Sequence, residues 1–293
     1  MKKYRSLIIK LLVSSVLIAY IVDKIDKQEF IENFSSFNFA YTPLIILFLI
    51  LNYVISSYRW KALLIHGNSD HISVKYLTSL YFIGAFFNNF MPTSMGGDVY
   101  KIYQLGKKID STADAFSSTF MERFTGFVAL GLISVVSMVR LWGFIGLALF
   151  IGFVGGFFVG LKALEFSSKK FKKLEKLYAS FLMYKTNYKV LGVAFVTSFV
   201  VQLLAIFTQY FVFLALDVQL PLLYSLVVFP VITLAGFFIP SLNGIGVQDS
   251  LYMQLFATVG VMTSLSLGAS IIYHLFRLGV SLVGGVMYAF EKN

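Results

Sequence analysis

Long apolar runs separated by short polar stretches set the pattern of this chain. A helix that crosses a bilayer needs about 20 mostly apolar residues. Clear spans are predicted at 6–22, 42–58, 113–139, 141–161, 190–216 and 268–290. Two further apolar stretches, 76–91 and 222–239, each run into a polar turn rich in Pro, Gly and Ser. The first turn is Pro92-Thr93-Ser94-Met95-Gly96-Gly97-Asp98, and the second is Pro240-Ser241-Leu242-Asn243-Gly244-Ile245-Gly246. The predicted fold is therefore all-α, a polytopic membrane bundle of about six full spans plus two broken, re-entrant segments.

The two turns resemble one another. Each reads Pro-(Ser/Thr)-x-x-Gly and follows a Phe-Phe pair, Phe86-Phe87 or Phe237-Phe238. Their prolines lie 148 residues apart, about half the chain. Three predicted crossings separate them, an odd number, so the second copy enters from the opposite face. Gly/Pro-interrupted apolar segments in corresponding positions point to an inverted-repeat transporter site. The expected repeats are 42–139 and 190–290, joined by span 141–161 and a polar loop at 162–189, within one transmembrane domain 1–293. Eight full crossings would place both ends on the same side as six do, and charge counting does not separate the two arrangements.

Composition sharpens this picture. Of 293 residues 58% are hydrophobic and only 13% charged, and the mean hydropathy is +0.81. Soluble domains carry about 25% charge, so a water-soluble globule is excluded. The absence of cysteine excludes disulfides and thiolate chemistry, and three scattered histidines argue against a metal centre. The first run is followed by Asp23-Lys24-Ile25-Asp26 and no small-residue cleavage site, so it reads as a retained span or signal anchor. The net charge of +10 is concentrated in short loops, which suits positive-inside anchoring and not nucleic acid. With six crossings, 19 Lys and Arg fall on the cytoplasmic side, three of them in 59–75 and eight in 162–189, against three outside. Both termini are expected in the cytoplasm of a cell that carries the protein in its plasma or inner membrane. The many Lys, Asn and Phe suit a prokaryotic source.

Candidate chemistry lies in charges at bilayer depth. Glu122 and Arg123 fall roughly 14 Å along the helix from 113, and Arg277 with His274 falls at similar depth in the last span. A charge there costs at least about 2.5–3.5 kcal/mol and must face a partner or polar cavity. Glu122 could pair with Arg277, or with Arg123 through water, as internal glue. Alternatively the arginines form a cationic cavity for an anionic headgroup, since guanidinium matches phosphate bidentately. Gly96, Gly97, Gly244 and Gly246 offer backbone N–H groups at broken helix ends. Asp98 and Asp249 are candidates for helix capping or for charge coupling, and Lys101 follows the first turn.

At these residues the chain resembles the flippase-like family named after the transmembrane region of lysylphosphatidylglycerol synthase. The resemblance rests on Phe87-Asn88-Asn89-Phe90-Met91-Pro92 leading into Gly96-Gly97-Asp98, then Glu122-Arg123-Phe124-Thr125-Gly126, Pro240 to Asp249, and Ser281-Leu282-Val283-Gly284-Gly285. It implies re-entrant helices and movement of lipids or lipid-linked carriers between leaflets. Lys101 stands where the family commonly has Arg, and Asp249 where Glu is usual. A soluble aminoacyl-transferase half is absent from the sequence, so no lipid synthesis is expected.

The expected function is translocation of an anionic phospholipid or polyprenyl-phosphate-linked carrier. The headgroup would meet Arg123, Arg277, Lys101, Asn88, Asn89 and the four glycines, while Glu122, Asp98, Asp249 and His274 pair or couple charge. No Gly-x-x-x-x-Gly-Lys-(Ser/Thr) loop exists for ATP, and no cofactor is expected. The partners expected are the lipid itself, with a homodimer or a separately encoded glycosyltransferase or synthase left open. A non-catalytic partner subunit and an intramembrane enzyme using Glu122, Asp249 and His274 are the competing readings.

Overall fold

The computed structural model describes residues 35–65, 69, 71–90, 96–170, 175, 178, 182, 184, 186–239, 241 and 243–290. The predicted span 6–22, the prolines of both turns and much of the 162–189 loop lie outside these residues. Every regular element among the described residues is helical. After a short 3-10 turn at Phe39–Tyr41 come α1 (Thr42–Leu63), α2 (Val74–Phe90), α3 (Gly96–Ile109), α4 (Thr112–Trp142) and α5 (Phe144–Ser168). They are followed by α6 (Tyr188–Ala215), α7 (Leu222–Phe238), α8 (Val247–Ala257) and α9 (Thr263–Ala289).

Four helices, Phe39–Leu63, Thr112–Trp142, Tyr188–Ala215 and Thr263–Ala289, are long and apolar enough to cross a membrane. The chain is thus a membrane protein with an all-helical architecture. The two exceptional stretches form helices of 17 residues each, α2 and α7, and each is followed after a polar turn by a shorter helix, α3 or α8. Asp98 and Asp249 both occupy the third residue of that shorter helix. One boundary needs correction. Arg59, counted with the loop 59–75, lies inside α1, which runs to Leu63.

Contacts divide the chain into two interleaved units. One comprises 1–54, 78–101 and 203–293; the other comprises 55–77 and 102–202. Four helices therefore lend a segment to each, and neither unit coincides with a half of the sequence.

In the first unit an aromatic core holds the end of α6 against α7 and α8. Phe213, Phe229, Tyr252 and Phe256 are fully buried, with ring centroids 4.6–6.0 Å apart. Offset and edge-on pairs at such distances add about 0.5–1.5 kcal/mol each beyond their burial. Pro230 sits inside α7, where it removes one backbone hydrogen bond. The turn that follows carries three left-handed residues, Asn243, Gly244 and Gly246 (φ +49°, +88° and +85°). Glycine adopts that region without a side-chain penalty, which explains its repetition here.

Glycines also set the crossing of α2 with its neighbours in this unit. A Cβ on Gly97 would collide with the Gly84 backbone, and one on Gly284 would collide with the Phe82 carbonyl. Backbones approach this closely only where no side chain intervenes, as small residues allow in membrane bundles.

In the second unit α4 packs on α5. Ser111 caps α4 by accepting from the Asp114 N–H, and Asp114 and Arg140 stand at the helix ends that suit their charges. Leu63, Met121, Tyr184 and Ala194 form a buried cluster, within which the Tyr184 hydroxyl donates to the Leu63 carbonyl at 2.8 Å. Burial, with Asp114 nearby, pushes the Tyr184 phenol well above its ordinary pKa.

Candidate intramembrane polar centre

Along α9 the residues Ser270, His274, Arg277 and Ser281 recur at i, i+4, i+7 and i+11. That spacing places them on one helix face. Each is bound to a broken-helix segment of the same unit. Ser270 donates to Asp249 Oδ1, and His274 Nε2 lies 3.4 Å from the same oxygen. Arg277 Nη2 donates to Asn243 Oδ1 at 3.1 Å. The Asn243 amide donates to Asn89 Oδ1 at 2.9 Å, and Asn89 donates to Ser281 Oγ at 2.7 Å. The tip of α2 and the turn before α8 therefore meet directly through two asparagine side chains, with α9 binding both.

The electrostatics of this centre are uneven. Asp249 accepts from the Gly246 N–H at 2.7 Å, from Ser270, and faces His274; it is a helix cap with an imidazole beside it. Asp98 pairs with Lys101 at 3.2 Å, and the Lys101 ammonium lies 4.0 Å from the Tyr81 ring centre. Arg277 differs. It is half-buried, its guanidinium lies over the Tyr273 ring, and no carboxylate is within ion-pair distance among the described residues. A guanidinium has five N–H donors, and Asn243 accepts one of them.

The second unit has a polar centre of its own. Arg59 Nη2 meets Glu122 Oε1 at 2.7 Å, and Arg59 Nη1 donates to Ser198 at 2.9 Å. Ser198 donates to Thr125, and Gln202 donates to the Gly126 carbonyl. Arg59 is 4% exposed and Glu122 2%, so α1, α4 and α6 seal this ion pair completely. The structure thus supplies Arg59 as a partner for Glu122.

The anticipated site residues separate accordingly. Asn89, Arg277, His274 and Asp249 are brought together. The Asn88 side chain accepts from the Gly97 N–H at 2.7 Å, so both serve as the cap of α3, with buried Gly96 beside them. Gly246 gives its N–H to Asp249, and Gly244 shapes the turn against Gln248. The N–H groups of Gly97 and Gly246 are thus taken by side chains of the protein itself. Lys101, 2% exposed, is enclosed by its own partners. Arg123 is exposed on α4, while its neighbour Glu122 points inward.

Sequence reasoning missed Arg59, Asn243, Ser270 and Ser281. The α9 serines were detectable, because they complete the stripe that His274 and Arg277 begin. Arg59 looked like a loop cation because it lies within one turn of the helix end.

Four apolar helices of membrane length in an otherwise helical chain, with polar networks between helices, define a helical membrane protein. The chain belongs to the lysylphosphatidylglycerol synthase TM region family, whose sequence profile matches residues 7–285, nearly its whole length. No curated protein and no solved structure matches it.

Proposed function

We propose that this protein is a lipid translocase that passes an anionic headgroup across the membrane interior at the Arg277 centre. The observation that carries the proposal is the state of Arg277. A cation within an apolar helix is expensive unless it is paired, yet among the described residues this one has a neutral amide for its hydrogen-bonding partner. Its remaining donors suit a phosphate, which guanidinium binds bidentately. The hydrocarbon part of such a substrate stays in the surrounding lipid or against apolar helix faces.

Both family membership and the broken-helix pairs support this reading. In it, α2 with α3 and α7 with α8 are the re-entrant elements of an inverted repeat. The Asn89–Asn243 contact joins their tips. Rocking of one repeat against the other exposes the centre to each leaflet in turn. The termini face the cytoplasm of a cell membrane, as the basic loops favour. Movement is downhill or coupled to an ion. No catalytic step is assigned.

The test is leaflet exchange of labelled phosphatidylglycerol and of a short-chain polyprenyl phosphate in proteoliposomes. Exchange above that of empty vesicles, lost in folded Arg277→Ala, is the expected result and identifies the lipid class. Exchange that survives Arg277→Ala removes this centre from the mechanism. No exchange of either lipid, with or without a pH gradient, overturns the translocase in favour of a partner subunit for a separately encoded glycosyltransferase or synthase.

A further inference from the structure

Opposite the polar stripe, α9 carries a second one. Ile272, Phe276, Gly279 and Val283 follow the same i, i+4, i+7, i+11 spacing, two residues out of step, so they lie on the far flank of the helix. This flank lines a cavity of about 490 Å³, closed on its other sides by Ile46 and Ile50 of α1, Phe82 of α2 and Phe37. Among the described residues no polar side chain lines it. Leu275, Val283 and Ile50 at its rim are exposed, so it opens towards the surface that faces lipid.

We infer that this cavity holds one acyl chain of the lipid whose headgroup lies at Arg277, an inference that rests on the translocase reading above. Three observations carry it. The described lining offers no polar side chain to hold water, and an apolar cavity stays dry. Left empty, its walls forfeit dispersion contacts on one side, which a hydrocarbon chain restores. The volume lies within the roughly 300–1,000 Å³ of sites that hold a single ligand, and so suits one chain.

The cavity lies within a lipid's length of the polar centre. Phe276 in its wall adjoins Arg277 in sequence. On α2, Phe82 and Asn89 stand seven residues apart on one face, about 10 Å along the axis; the first lines the cavity and the second belongs to the polar network. A molecule with its phosphate at Arg277 and a chain beside Phe82 spans that separation.

Gly279 makes the inference testable. A Cβ built there meets nothing within 4 Å, so Gly279→Leu fills the cavity without displacing backbone. The probe is phosphatidylglycerol with a photoreactive diazirine midway along one acyl chain, used in proteoliposomes of the full chain and mapped by mass spectrometry. Label is expected to concentrate on 275–283 and on Phe82, and to be displaced by excess unlabelled phosphatidylglycerol. Gly279→Leu should lower it about tenfold with thermal stability retained. Val283→Phe fills the same space from an exposed position and serves if the first variant folds poorly. Gly192→Leu, at an equally open position on α6, should leave labelling unchanged.

Label spread evenly over lipid-facing residues such as Val196, or indifferent to both filling variants, overturns the inference. So does displacement by polyprenyl phosphate alone, which assigns the cavity to a prenyl chain. The two readings fail separately. Cavity labelling absent while Arg277-dependent exchange persists removes the chain site and leaves the translocase; absence of any exchange removes the translocase.

Discussion

The two units each carry an arginine within an apolar helix, and they hold it in opposite ways. Arg59 faces a carboxylate, is sealed by three helices and is 4% exposed. Arg277 is half-buried and is held by the amide of Asn243. The desolvated Arg59 charge is cancelled by Glu122, which leaves it little pull on a further anion. The Arg277 charge has no such partner among the described residues. The same residue type in the same solvent is therefore ion-paired in one unit and amide-bound in the other. The difference lies in whether an acid or an amide stands opposite.

The harshest way to break that contrast is Arg59→Ala, which strands the buried Glu122 charge. A destabilisation of about 3–5 kcal/mol is expected, read as a large fall in thermal midpoint in detergent. The double variant Arg59→Met with Glu122→Leu should recover most of it. If the single variant melts like the unmodified protein, the sealed pair is not a structural element.

A subtler change converts one centre into the other kind. Asn243→Asp places a carboxylate opposite Arg277, and the protein should remain folded while lipid exchange falls about tenfold. Unchanged exchange would mean that the freedom of Arg277 is irrelevant to transport. Arg123→Ala tests an exposed cation on α4 beside the sealed pair. Exchange within about twofold of the unmodified protein is expected, with stability altered by no more than about 0.5 kcal/mol.

The smallest effect concerns Tyr184, whose raised phenol pKa keeps the proton that bonds the Leu63 carbonyl. Tyr184→Phe should cost about 1 kcal/mol. Because the folded pKa lies above the unfolded value of about 10, this contribution is present below that pH and is lost as the pH rises past it. Thermal midpoints of the two proteins measured at neutral pH and above pH 10 should converge at the higher pH.

Much of this was legible in one dimension. The spans 113–139 and 190–216 match α4 and α6 closely because apolar length is a local property. The two exceptional stretches were marked by Pro, Gly and Ser, whose backbone preferences are also local. Asp249 as a cap followed from its place three residues after Gly246. The site was less legible. Glu122-Arg123 reads as a pair of midplane charges, but only one of two adjacent helical residues can face a given neighbour. The helix directs Glu122 inward and Arg123 outward. Lys101 reads as a free cation because its cage, Tyr81 and Asp98, involves the crossing of α2 and α3 at Gly84 and Gly97.

By itself the sequence determined the solvent of this protein, its helical class, the positions of its breaks and the types of charge it carries within the membrane. Those follow from transfer energies and backbone conformations that each residue brings with it. Tertiary structure alone decided which charges face an acid and which face an amide. A buried charge is governed by the atoms within a few ångströms of it. For Arg59 and Glu122 those atoms come from residues 63 positions apart, and for Arg277 from a turn 34 positions away.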